Sequence, residues 1–119
     1  MNNMIEKTGI RHNEGKLRWR NVPMFLMRGL VEVGAMGEDE YGTYNYLKGL
    51  SVSDTLDSAF RHLDAATDPM QSDFDTKSKL HHLKHAAWNA LVAAWMIENR
   101  PDLDDRLTLE QLNLNNECV

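Results

Sequence analysis

Apolar positions along this chain recur at intervals of three and four rather than two, which predicts helices and no strand. After Pro23, the residues Leu26, Met27, Leu30, Val31 and Val33 fall on one helical face, and Gly34 and Gly37 lie on the same face. Pro23 suits a first turn, where its missing N–H leaves nothing unpaired. The glycines permit a close helix contact or fraying. The stretch "GEDEYGTYNYLKG", residues 37–49, breaks the pattern with three glycines, three acids and three tyrosines, and reads as a helix end followed by a structured loop. Ser51 or Ser53 can cap a second helix running to about Thr67, with Leu56, Ala59, Phe60, Leu63 and Ala66 on its buried face. Pro69 stops it, and "TDPMQSDFDTKSK" is a loop. A third helix over "HHLKHAAWNALVAAWMI", residues 81–97, stops at Asn99 and Pro101. Thr108 and Gln111 form a capping box for a short last helix, "TLEQLNL", before a loose tail, "NNECV".

The predicted fold is all-α: three main helices of roughly 12 to 20 residues plus a short C-terminal one, in a single domain over residues 1–119. Residues 1–20 form an irregular basic arm packed at Leu17 and Trp19, residues 21–99 the helical core, and residues 100–119 the short helix and tail. Three such helices leave an apolar groove, which a second subunit could fill to complete a four-helix arrangement.

The third helix carries the candidate chemistry. At 100° per residue, His82, His85 and Asn89 lie within about 60° of one another. Leu83, Ala86, Ala87, Ala90, Leu91 and Ala94 form the adjoining apolar face, and His81 and Lys84 point to solvent. Asn89 is the only polar residue among the twelve from Ala86 to Ile97. A buried amide without partners costs about 1–3 kcal/mol, so something polar must face it. The side chains of the stripe either satisfy one another or wall a polar site. On the second helix, His62 sits about 100° from the centre of the apolar face, at the edge of burial. Arg61 lies further out, where Asp57 could pair with it. An Arg-His pair aimed at phosphate is the other reading, with a guanidinium fork and an imidazole proton donor.

Carboxylates come from two loops. Glu38, Asp39 and Glu40 crowd the end of the first helix, and Asp73 and Asp75 precede the third. Asp75 is placed either to cap that helix or to stand at the mouth of the His82/His85 stripe. Oxygen ligands of this kind suit Mg²⁺ or Mn²⁺. No phosphate-binding P-loop, dinucleotide fingerprint, Ser-His-Asp signature or paired-cysteine site is present.

Composition narrows the classes. With 42% hydrophobic and 26% charged residues the chain is an ordinary globular protein. A net charge of −5 argues against a protein that grips long nucleic acid, though not against one nucleotide with a metal. The lone Cys118 permits no internal disulfide. No apolar run reaches membrane-spanning length and no signal-peptide pattern opens the chain, so a reducing cytoplasm is expected.

Four segments, "GIRHNEGKLRWRNVP", "GEDEYGTYNYLKG", "AFRHLDA" and "DTKSKLHHLKHAAWNAL", taken in order resemble the N-terminal domains of phage dATP/dGTP diphosphohydrolases, a MazG-like group. The resemblance covers about residues 9–97. It implies a helical, oligomeric enzyme that splits a purine dNTP into dNMP and pyrophosphate with Mg²⁺ or Mn²⁺, working in the host cytoplasm. Carried over residue by residue, Gly15, Lys16 and Pro23 match its opening block, and Tyr41, Gly42, Asn45 and Gly49 its loop. Arg61 and His62 match its Arg-His pair, and Asp75, His82, His85 and Asn89 its last block. The roles implied are catalytic for His62 and Asp75, substrate-binding for Lys16, Tyr41, Asn45, Arg61, His82 and Asn89, and metal-binding for Asp75, His85 and Glu38. The chain departs from the pattern at Glu40, where a Lys is expected, at Tyr46 for Trp, at Ser72 and Lys77 for two Glu, and at Lys79 for Gly.

Two functions follow from this balance. One is the nucleotide pyrophosphohydrolase. The alternative, favoured by the missing carboxylates, is a catalytically degenerate member of the fold that binds a nucleotide or a host protein, as an inhibitor or anti-defence protein. A purely structural helical oligomer would explain the apolar run but not the ordered polar set.

Overall fold

The computed structural model describes the backbone of residues 8–117 and the side chains of residues 8–113. Residues 1–7 of the arm, and Cys118 and Val119 of the tail, lie outside the described residues. Among the described residues four α-helices follow one another: α1 (Met24–Tyr41), α2 (Val52–Thr67), α3 (His82–Asn99) and α4 (Leu109–Glu117). Among the described residues the only β-pairing is an isolated bridge between Phe74 and His81. Among the described residues no helix is long and apolar enough to cross a membrane.

Local chemistry sets the boundaries. Pro23 stands just outside α1, extended at φ −65° and ψ 150°. Gly42 ends the helix at φ +98°, its N–H donating to Glu38 O at 2.8 Å. A 3₁₀ turn, Asn45–Lys48, then leads to Gly49. Only glycine suits Gly49: φ is +118°, and an added Cβ would lie 2.8 Å from Leu103 Cδ1. Ser51 caps α2, its hydroxyl accepting the Asp54 N–H at 3.2 Å. The same hydroxyl donates to Asp105 Oδ2 at 2.6 Å, and the Ser53 N–H donates to Asp105 Oδ1 at 2.8 Å. A carboxylate 54 residues downstream thus finishes the first turn of α2, where it also meets the positive end of the helix dipole. These bonds hold the Asp105 carboxyl down at about 2, the Ser51 hydroxyl contributing most. The reciprocal pairing of Thr108 and Gln111 at the start of α4 is the expected capping box (3.0 and 3.1 Å).

α2 and α3 form an antiparallel pair joined by the loop 68–81. The open end of the pair holds the core, where Val52, Val92 and Met96 are buried with Leu50, Leu56, Trp88 and Leu103 packed around them. α1 lies across α3. Gly29 sits against the Lys84 stem, 3.0 Å from a Cβ at that position, and Gly34 faces Trp88, so Gly29 and Gly34 mark a close helix contact. Glu32 and Lys84 pair across it at 2.7 Å.

Several faces expected inside are outside. The buried face of α3 is His85, Ala86, Asn89, Val92, Ala93 and Met96, while Leu83, Ala87, Ala90, Leu91 and Ala94 are exposed. Asn89 is therefore not at the margin of the core-facing side but within it. On α1 only Val33 is buried, and Leu26 and Val31 are each 65% exposed. On α2 the expected Ala59 is buried and Leu56 and Ala66 are half-buried, but Phe60 and Leu63 are exposed, and Val52, Thr55 and Ala65 are buried in their place. Leu17 and Trp19 pack against nothing, at 83% and 78% exposure. The chain's own core is narrow because each helix uses one thin stripe and leaves a second apolar stripe open.

Candidate functional site: a histidine and aspartate cluster beside an open groove

The site lies at the closed end of the α2–α3 pair. The loop before α3 is folded around Asp75. Its Oδ2 accepts the N–H groups of Lys77 (3.1 Å) and Ser78 (2.8 Å), and its own N–H donates to Leu80 O at 2.8 Å. Asp75 thus caps this turn, and the N-cap of α3 is His81, whose Nδ1 accepts the Leu83 N–H at 3.0 Å. The Ser78 N–H, outweighing partial burial, holds the Asp75 carboxyl below the usual range, so it is ionised at neutral pH. Oδ1 accepts no hydrogen bond from the described residues.

His62 comes from α2 and His82 and His85 from the first turn of α3. His62 Nδ1 and His82 Nδ1 face each other at 2.9 Å, so in one tautomeric arrangement one donates and the other accepts. The His85 ring stacks flat on His62, with centroids 4.4 Å apart and planes 11° from parallel. Burial, then the neighbouring His85 and His82, pushes His62 below the ordinary histidine range. Burial does the same to His85 against the pull of Asp75. Both are held toward the neutral form, which is the form that binds a metal.

Ligand atoms of His62, Asp75 and His82 all lie within 4.8 Å of one another. The fit to a divalent cation is chemically sound: a free carboxylate oxygen and two imidazoles converge, with His62 held neutral by burial. His85, expected as a ligand, stands outside this group. Its Nε2 meets Ser78 Oγ at 2.6 Å, and that hydroxyl also accepts the Leu80 N–H at 3.1 Å. It is positioned as the wall on which His62 rests.

The cluster opens onto a groove of about 1130 Å³ between the second half of α1, the 3₁₀ turn and α3. Asp75, His62, His85 and Asn89 line one side, and Glu38, Tyr41 and Asn45 line the other. Asn89 Nδ2 donates back to His85 O at 2.8 Å. The amide is thus partly satisfied within its own helix, and its oxygen accepts nothing from the described residues.

Three expected substrate contacts do not line the groove, and of these His82 stands in the cluster with His62 and Asp75. Lys16 lies in the exposed arm, and Arg61 is exposed on α2 outside the groove lining, with no ion pair to Asp57. Trp88 and Trp95, which the sequence reading does not single out, line the groove. Trp88 meets Tyr46 edge-on at 5.2 Å. Their i, i+7 spacing on an otherwise small-residue helix was the available signal.

The sequence matches the family described as dATP/dGTP diphosphohydrolase, N-terminal, over residues 6–106. Among curated proteins, a dATP/dGTP diphosphohydrolase of Salmonella phage PMBT28 is 33% identical over 99 residues. That alignment covers 83% of this chain and 33% of the relative, so the chain spans about a third of the relative's length. No solved structure matches.

Proposed function

This chain belongs to the dATP/dGTP diphosphohydrolase N-terminal family, and from that premise we propose that it converts a purine dNTP into dNMP and pyrophosphate with a divalent metal. The observation that carries the reading is the convergence of His62, Asp75 and His82 at the rim of a groove large enough for a nucleotide. These three residues would hold the cation, His62 and Asp75 being the two catalytic residues expected from the sequence and His82 taking the place foreseen for His85. Two imidazoles favour Mn²⁺ over Mg²⁺, which prefers an all-oxygen shell. A bound cation supplies positive charge to the phosphates and Lewis acidity at the scissile P–O bond. Asp75, fixed by two backbone N–H groups, supplies the anionic anchor without reorganising. Tyr41, Asn45 and Asn89 line the groove as base and sugar contacts, and Trp88 offers a flat face. Glu38, across the groove, is the next carboxylate able to reach a metal-phosphate complex.

The test is incubation with each dNTP and Mn²⁺ or Mg²⁺, with dNMP and pyrophosphate as the products sought. Absence of turnover with every nucleotide removes the enzyme. A second reading rests on the single carboxylate in the cluster: a degenerate member that binds a nucleotide or a host protein without hydrolysis. Nucleotide-dependent rises in melting temperature without turnover would select it.

A further inference from the structure

We propose that the basic arm, residues 8–22, of one copy docks into the groove of a second copy and completes the phosphate side of that copy's site. The arm has local order but no packing. Lys16 N–H donates to Asn13 O at 3.1 Å, Gly15 turns the chain at φ +78°, and Trp19–Asn21 form a 3₁₀ turn. Yet every residue from 8 to 22 is exposed, including Ile10, Leu17, Trp19 and Val22. A segment that holds shape and presents a tryptophan to water is built to meet another surface.

The groove is the matching surface. Its open wall is apolar, with Val31, Leu91 and Trp95 all exposed. Its carboxylates are Glu38, Glu40 and Asp75, and Lys77, the lone Lys or Arg among its lining residues, is tied to Glu40 at 2.6 Å. The arm carries the opposite charge, with Arg11, Lys16, Arg18 and Arg20 against Glu14. Apolar and charged features therefore complement each other between the two surfaces.

Within one chain the arm stays off the groove: Pro23 launches it, extended, just before α1, and no residue from 8 to 22 lines the groove. The radius of gyration, 20.6 Å, compares with about 13–14 Å for a compact domain of this length. Reciprocal exchange between two copies closes both grooves with one two-fold operation. Lys16, Arg18 and Arg20 then approach the triphosphate from the side opposite Asp75. That last assignment rests on the nucleotide reading above; the docking itself does not.

The test keeps the two apart. In a Cys118→Ser background, one copy carries Trp19→Cys and a second, longer tagged copy carries Leu91→Cys. Mixed and oxidised, they should give a disulfide between chains of different length, and the unoxidised parent should sediment as a dimer. Deleting residues 8–22 should give a monomer with its helical circular dichroism intact. A monomeric parent overturns the proposal, and so does a dimer that forms no such disulfide, which would mean pairing through the bare helix faces. Turnover restored by mixing Lys16→Glu with Asp75→Asn supports arm exchange. Crosslinking with no turnover by the parent protein leaves the exchanged arm standing and removes the hydrolase reading.

Discussion

Lys77 Nζ lies 2.6 Å from Glu40 Oε1, joining the two positions at which this chain reverses the charge of the family pattern. The sequence presents them as separate departures, one lysine lost and one glutamate lost. In the fold Glu40 and Lys77 form one ion pair. The pairing holds Glu40 below, and Lys77 above, its ordinary range through their mutual hydrogen bond. Glu40→Lys and Lys77→Glu should each lower the melting temperature, and the double variant should recover it. A double-mutant cycle of thermal melts checks this; additive losses would mean that the pair does not interact in solution.

Lys79 stands where the family pattern carries glycine, and its backbone keeps the glycine conformation, at φ +66°. A side chain there costs about 1 kcal/mol. Lys79→Gly should therefore stabilise the protein by about that amount, raising the melting temperature by several degrees. An unchanged or lower melting temperature in calorimetry would contradict it.

The cluster predicts selective loss of metal binding. Asp75→Asn and His82→Ala should each weaken Mn²⁺ binding in titration calorimetry at least about tenfold. The exposed Asp39→Asn should leave it unchanged.

Asn89→Leu should abolish nucleotide binding while α3 stays helical. The amide gives one hydrogen bond to its own helix, and the residue lines the groove. Unchanged nucleotide affinity, with unchanged circular dichroism, would make Asn89 a packing residue.

Asp105 sets an acid limit. Its folded carboxyl titrates at about 2, against 3.8 unfolded. The stabilisation is complete above the unfolded value and is lost as pH falls through 3.8 toward 2. Asp105→Asn should melt lower than the parent at pH 6, and the gap should close by pH 2. Melts across this range decide it.

The helices were legible because their ends are written in local chemistry: Ser51 at a cap, Gly42 and Gly49 at turns, Thr108 with Gln111. Which face of each helix is buried was not. α3 is apolar almost all round, so periodicity marks two candidate faces and cannot choose between them. Partners outside the helix choose: Ser78, in the loop before α3, meets His85, and His62 of α2 stacks on it. The residues of the cluster could be singled out beforehand, His82 from its polar stripe beside an apolar face, His62 at the edge of a helix face and Asp75 from the loop before α3. Lys16 and Arg61 were singled out equally, and the single chain leaves both away from the groove. The pair at 40 and 77 was invisible because the two positions are 37 residues apart.

The Ser51–Asp105 contact also bears on the order in which the protein takes shape. During synthesis α2 emerges first but lacks the carboxylate that completes its first turn. That group arrives only after the loop and α3 have left the ribosome. Closing so long a span is slow compared with helix growth. The fastening at the start of α2 is thus applied only after α3 has been made, so a nascent chain stalled before Asp105 carries both helices without it.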